Sequence, residues 1–105
     1  MGNLEVFQFS TVQTRQQPKP VTMAAAATVA PTTKLTFLTG QVQLATLTPN
    51  DAQAYQEVTL VFTHAAPGAF LTTGNLQVAY QPIQNRPIDL CYDPIGGKWW
   101  VKAVV

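Results

Sequence analysis

Residues that carry chemistry are scarce in this chain. It has a single cysteine (Cys91), a single histidine (His64) and a single serine (Ser10). One cysteine excludes an internal disulfide framework and a cysteine-rich zinc site. Set in the strand-like run I-D-L-C-Y, Cys91 is expected to be a small packed residue. A catalytic nucleophile needs an adjacent base, and that base needs an orienting group. His64, in V-F-T-H-A-A-P, has no such partners at a recognisable spacing and is expected in a loop or at a strand end. Charge is scarce too. Asp, Glu, Lys and Arg make up 10% of the 105 residues, against roughly 25% in an ordinary soluble domain.

The six basic residues are scattered and the net charge is +1, which argues against a nucleic-acid partner, since that needs clustered Lys and Arg. No apolar run approaches the length of a membrane span. The segment Met1–Val6 lacks the basic start and apolar core of a signal peptide. Gly2 does not open a myristoylation pattern either, which wants Ser or Thr at the sixth position. A soluble product is expected.

The remaining acids point to structure rather than chemistry. Asp51, Glu57, Asp89 and Asp93 form no glycosidase-like pair in sequence, and Asp93 before Pro94 has the form of a turn residue. No spacing suggests converging metal ligands. Gly96-Gly97 lacks the strand, glycine loop and helix context of a phosphate cradle. The expectation is therefore a non-enzyme with no catalytic residue, no cofactor and no metal.

What the chain does contain is Thr, Gln, Ala, Pro and aromatics in β-like alternation. Residues 3–14 are rich in β-branched and aromatic side chains, with Leu4, Val6 and Val12 on one parity and Phe7 and Phe9 on the other. Such a segment favours a place in a sheet. Residues 15–33, with Pro18, Pro20 and Pro31 around the run Ala24–Ala27, read as an extended linker. Residues 1–33 are thus expected to form an N-terminal arm that reaches a neighbour, with fold-back as an edge strand the competing outcome. The arm contacts would be Val6, Phe7, Phe9 and Val12.

From Lys34 the pattern becomes regular. Strands are expected at Leu35–Thr39, at Gln41–Leu47 with a bulge near Ala45, at Val58–Phe62, at Leu76–Tyr80, at Ile88–Tyr92 and from Lys98 to the end. Asp51–Gln56 could wind into one helical turn. Asp93-Pro94 with Gly96-Gly97 predicts a hairpin loop. Short strands at this spacing without a convincing helix define an all-β fold: a small antiparallel β-sandwich or barrel of about six to seven strands over residues 34–105. Parallel pairing through crossover helices is not expected, because no such helices are present. Adjacent strand residues point to opposite faces. One of Trp99 and Trp100 should therefore enter the core, and the other should lie at a subunit interface or on the surface.

The motifs Leu60 and Phe62 in V-T-L-V-F-T, then Gly74-Asn75-Leu76, then Leu90 with Tyr92-Asp93, then Lys98-Trp99, resemble a recurring β module of tailed-phage virion proteins. Residues 57–100 carry the resemblance. It implies a virion component built of β-rich subunits, found in tail fibres and spikes and in small capsid-associated proteins. With no fibre shaft before the module, and with an arm in its place, the chain is most similar to a capsid decoration (cement) protein. That implies residence on the outside of the phage head after synthesis in the host cytoplasm. The implied partners are the major capsid protein and copies of itself, as a dimer or trimer, with neither nucleic acid nor membrane involved. The alternative is a receptor- or carbohydrate-binding module of a tail fibre or spike that uses an exposed Trp or Tyr as a stacking platform.

Overall fold

A computed structural model of the chain describes residues 19–104. The fold is all-β, with seven strands and no helix among the described residues: β1 (Val21–Ala24), β2 (Thr28–Val29), β3 (Leu35–Thr39), β4 (Thr46–Leu47), β5 (Gln56–Phe62), β6 (Ile88–Asp93) and β7 (Lys98–Val104). Five of them form one sheet in the order β1-β3-β5-β6-β7, and β2 pairs with β4 in a small second sheet.

The sheet is mixed rather than purely antiparallel. β1–β3, β3–β5 and β2–β4 pair in parallel, while β5–β6 and β6–β7 pair antiparallel. Parallel neighbours need a long crossover, usually a helix. Here each crossover instead runs through the opposite layer, β2 lying between β1 and β3 and β4 between β3 and β5. The chain thus winds as a flattened coil from Val21 to Phe62, then closes with the β6–β7 hairpin.

Winding also corrects the expected arm boundary at residue 33. Residues 21–29 are not a linker. β1 is an edge strand of the main sheet, with Val21 abreast of Thr36 and Met23 abreast of Leu38. The Ala24–Ala27 run spans the step between layers, where the Ala25 amide donates to Thr39 O and Ala27 O accepts from the amides of Ala45 and Thr46. Val6, Phe7, Phe9 and Val12 lie outside the described residues.

Three further expectations change. Only Thr46–Leu47 of the 41–47 run is a strand, and Val42 is exposed while Leu44 is buried. The bulge lies between Asp89 and Leu90 opposite β7, not near Ala45. The clean alternation of Leu76, Val78 and Tyr80 yields a single parallel bridge, Leu76 to Trp99. There Tyr80 turns inward, its carbonyl taking the Phe70 amide and its ring meeting Phe70 edge-on at 5.9 Å. Residues 51–56 make a turn rather than a helix, with the Gln53 amide on Asp51 Oδ1 and the Ala54 amide on Asp51 O.

The core lies between the two layers. Leu38, Val58, Leu60, Phe62, Ile88, Leu90, Tyr92 and Trp99 come from the main sheet, and Val29, Leu44, Leu47, Phe70 and Leu76 from the opposite side. Burying such side chains stabilises by about 1.5–3 kcal/mol each before entropy is counted. Thr36 is buried as well, and its hydroxyl is satisfied by Thr33 O at 3.0 Å.

Candidate functional site

The layers are joined by a polar knot. Asn75 Oδ1 accepts from the Leu47 amide at 2.8 Å, and Asn75 Nδ2 donates to the Leu47 carbonyl at 2.7 Å. The Asn75 side chain thereby imitates a strand partner for β4. The same Leu47 carbonyl takes the Trp99 indole N–H at 2.9 Å, and the Trp99 amide donates to Asn75 O at 2.8 Å. Gly74 sits against this knot, where a Cβ would collide with the Ala45 carbonyl and the Thr46 hydroxyl. The Trp99 ring packs on Tyr92 at 5.2 Å. Trp99 is thus a core residue.

Trp100 is its opposite. It is 42% exposed on the outward face of the sheet, abreast of Cys91 and, one strand further, Glu57. Cys91 is free and half-buried on that face rather than packed in the core. The β6–β7 hairpin carries two more exposed apolar side chains, Ile95 at 97% and Val104 at 49%. The hairpin tip is built as its residues dictate. Asp93 Oδ1 accepts from the Ile95 amide and Asp93 O from the Gly97 amide, while Gly97 takes a left-handed φ of 69°. Asp93 is the turn former that its place before Pro94 predicts. β7 is the last strand of its sheet, and its outer edge meets only the Leu76 bridge among the described residues.

A second surface feature lies at one end of the sandwich. A groove of about 510 Å³ runs between the β2–β3 connection (Pro31–Lys34) and the β4–β5 connection, where Thr48, Asn50, Tyr55, Gln56 and Glu57 line it above Val58 and Trp99. Its walls are pinned. Gln56 Oε1 accepts from the Asn50 amide, and Gln56 Nε2 donates to the carbonyls of Asp51 and Ala54. On the other wall Thr33 bonds the Leu35 carbonyl, and the Lys34 carbonyl accepts from Thr59.

At the rim, Glu57 Oε2 accepts from Tyr55 Oη and from Lys102 Nζ, each at 2.7 Å. The Lys102 hydrogen bond, with that of Tyr55, holds the Glu57 carboxyl below its ordinary range. The carboxylate in turn raises the pKa of Lys102 and of the Tyr55 phenol. Elsewhere the chemistry-bearing residues are dispersed. His64 stands in the loop after β5, with Nδ1 accepting from the Ala66 amide, and Asp89 takes the Thr59 hydroxyl. Among the described residues no three of His, Cys, Asp and Glu gather as a metal site would require. No helix among the described residues is long and apolar enough to cross a membrane.

Comparison with protein-family models, with curated proteins and with solved structures finds no match for this chain. Of the residues singled out from the sequence, the structure separates Trp99 from Trp100 and describes none of the four arm positions. Sequence reasoning missed Tyr55 and the groove beside it. The only available signal was an aromatic in an otherwise polar turn, D-A-Q-A-Y-Q-E, and that does not distinguish a rim residue from any surface tyrosine.

Proposed function

We infer that this chain is a non-enzymatic structural subunit of a virion, a capsid decoration protein that binds the outside of the head and holds neighbouring capsid subunits together. The observation that carries the reading is the apolar edge hairpin. Ile95, Trp100 and Val104 are exposed along one terminal hairpin of a chain with only 10% charged residues. Ile95 stands at the hairpin tip and Trp100 on the outward strand face, and Trp is among the residues most enriched as energetic anchors of interfaces. Beyond the Leu76 bridge the outer edge of β7 meets no other strand among the described residues, and a capsid strand or a second copy can add there. The resemblance of residues 57–100 to virion β modules points to the same class of partner. Repetition over a lattice lets each contact be weak while the assembly is strong.

Co-sedimentation with purified heads and with purified tails tests this. The chain should pellet with heads. Ile95→Ser and Trp100→Ala should each weaken that binding by about tenfold or more, a loss of about 1.4 kcal/mol. Pelleting with tails alone, or with neither, would overturn the reading.

A further inference from the structure

We propose that the groove at the Tyr55 end of the sandwich is a binding site for a neutral saccharide, bordered on one side by Lys102 of β7. Its volume, about 510 Å³, lies within the roughly 300–1,000 Å³ of small-molecule sites. Tyr55 is 58% exposed at the rim, and its hydroxyl is tied to Glu57 at 2.7 Å. The ring is therefore restrained at its hydroxyl end while more than half of the residue stays open to solvent, where the C–H groups of a pyranose can pack on it with little rotamer freedom left to lose.

The polar lining suits hydroxyl groups. Thr32, Thr48 and Asn50 present donors and acceptors together. Both bonds to Glu57 fall on Oε2, leaving Oε1 as a further acceptor. Gln56 spends its side chain pinning the loop, so the wall is preformed rather than adaptable.

The same features disfavour other ligands. Lys102 and, more weakly, Lys34 both help lower the Glu57 pKa, so the groove carries no uncompensated carboxylate to attract a cation. A peptide adding as a strand would find little edge to pair with here. β3 covers β5 from Thr59 onward, and only Gln56, Glu57 and Val58 extend beyond it on that side. The polar rim does not suit an acyl chain.

The test is a glycan array probed with the full chain. NMR titration with tetrasaccharides of glucose, galactose and N-acetylglucosamine then follows, on wild type, Tyr55→Ala, Tyr55→Phe and Trp100→Ala. A neutral glycan should bind with a dissociation constant on the order of 1 mM or tighter and shift the amides of Thr33, Asn50 and Gln56. Tyr55→Ala, whose fold is checked by its thermal melt, should weaken binding about tenfold or more, and Tyr55→Phe by no more than about threefold. Trp100→Ala should leave the affinity within about twofold, which separates this site from the docking surface. No neutral glycan bound at about 10 mM, binding of acidic glycans alone, or binding lost in Trp100→Ala but kept in Tyr55→Ala would each overturn the proposal.

Discussion

Asn75 and Glu57 show how differently two polar residues act in this molecule. Asn75 satisfies the amide and the carbonyl of Leu47 at once. Removing its side chain orphans a donor at a buried residue, which costs about 1–3 kcal/mol. Asn75→Ala should lower stability by about 2–3 kcal/mol in urea denaturation, with an unchanged slope; a loss below about 0.5 kcal/mol would show the knot to be dispensable. Glu57 acts at the surface, so its effect is small and salt-sensitive. Its carboxyl is held below the ordinary value of 4.5, chiefly by Lys102. The stability it contributes is present above that value and fades as pH falls through the lowered native one. Lys102 and Tyr55 are held above 10.5 and 10.0, in both cases chiefly by their hydrogen bonds to Glu57. Their contribution is full below those values and is lost as pH rises through the raised ones. At low salt, Glu57→Gln should therefore narrow the stability differences between about pH 7 and pH 3 and between about pH 7 and pH 11. Denaturation midpoints at the three pH values check this, and unchanged differences would count against the cluster. At this scale the sequence was informative where a residue's local context decides its role. Asp93 before Pro94 makes a turn, and adjacent tryptophans on a strand must part to opposite faces. Asn75 stood out only within the motif Gly74-Asn75-Leu76, because its partner Leu47 lies far along the chain.

The strands that alternate over five or more residues, β3, β5, β6 and β7, stand where the pattern predicts them. β1 and β2 were hidden. V-T-M-A and T-V are too short to show a period, and they sit among prolines and alanines whose composition reads as linker. The parallel pairing was hidden for a different reason. Its crossovers are made of strand and loop in the opposite layer, whereas the sequence rule looks for helices. Leu76–Tyr80 shows the converse failure, since Leu76 is buried and Tyr80 packs on Phe70 while Val78 between them is exposed and only Leu76 bridges to a strand. A pair of truncations tests the place given to β1. Deleting residues 1–24 should cost roughly 2–4 kcal/mol more than deleting residues 1–18, because Val21 and Met23 leave the edge of β3. Equal stability of the two would contradict it. Gly74→Ala should also destabilise, by about 1–3 kcal/mol, since the colliding atoms belong to the Ala45 backbone and the Thr46 side chain of the opposite layer. A thermal melt reads the loss, and an unshifted melt would mean that the layers can part at this corner.

Residues 19–104 form a two-layer β body whose His, Cys, Asp and Glu side chains gather in no group of three or more, and whose β6–β7 hairpin exposes Ile95 and Trp100. The sequence pointed to the class of body and to an outward tryptophan, but not to the groove. A groove forms where two connections distant in the chain converge, and nothing local records that. Of the two surfaces, the hairpin bears the larger claim, that the chain decorates a capsid. The measurement that tests it most directly is cryo-electron microscopy of particles assembled from the same genome. The account predicts repeated density for the β body on the outer shell, with the β6–β7 hairpin facing capsid subunits or a second copy. Density confined to the tail, or particles that lack the chain altogether, would contradict it.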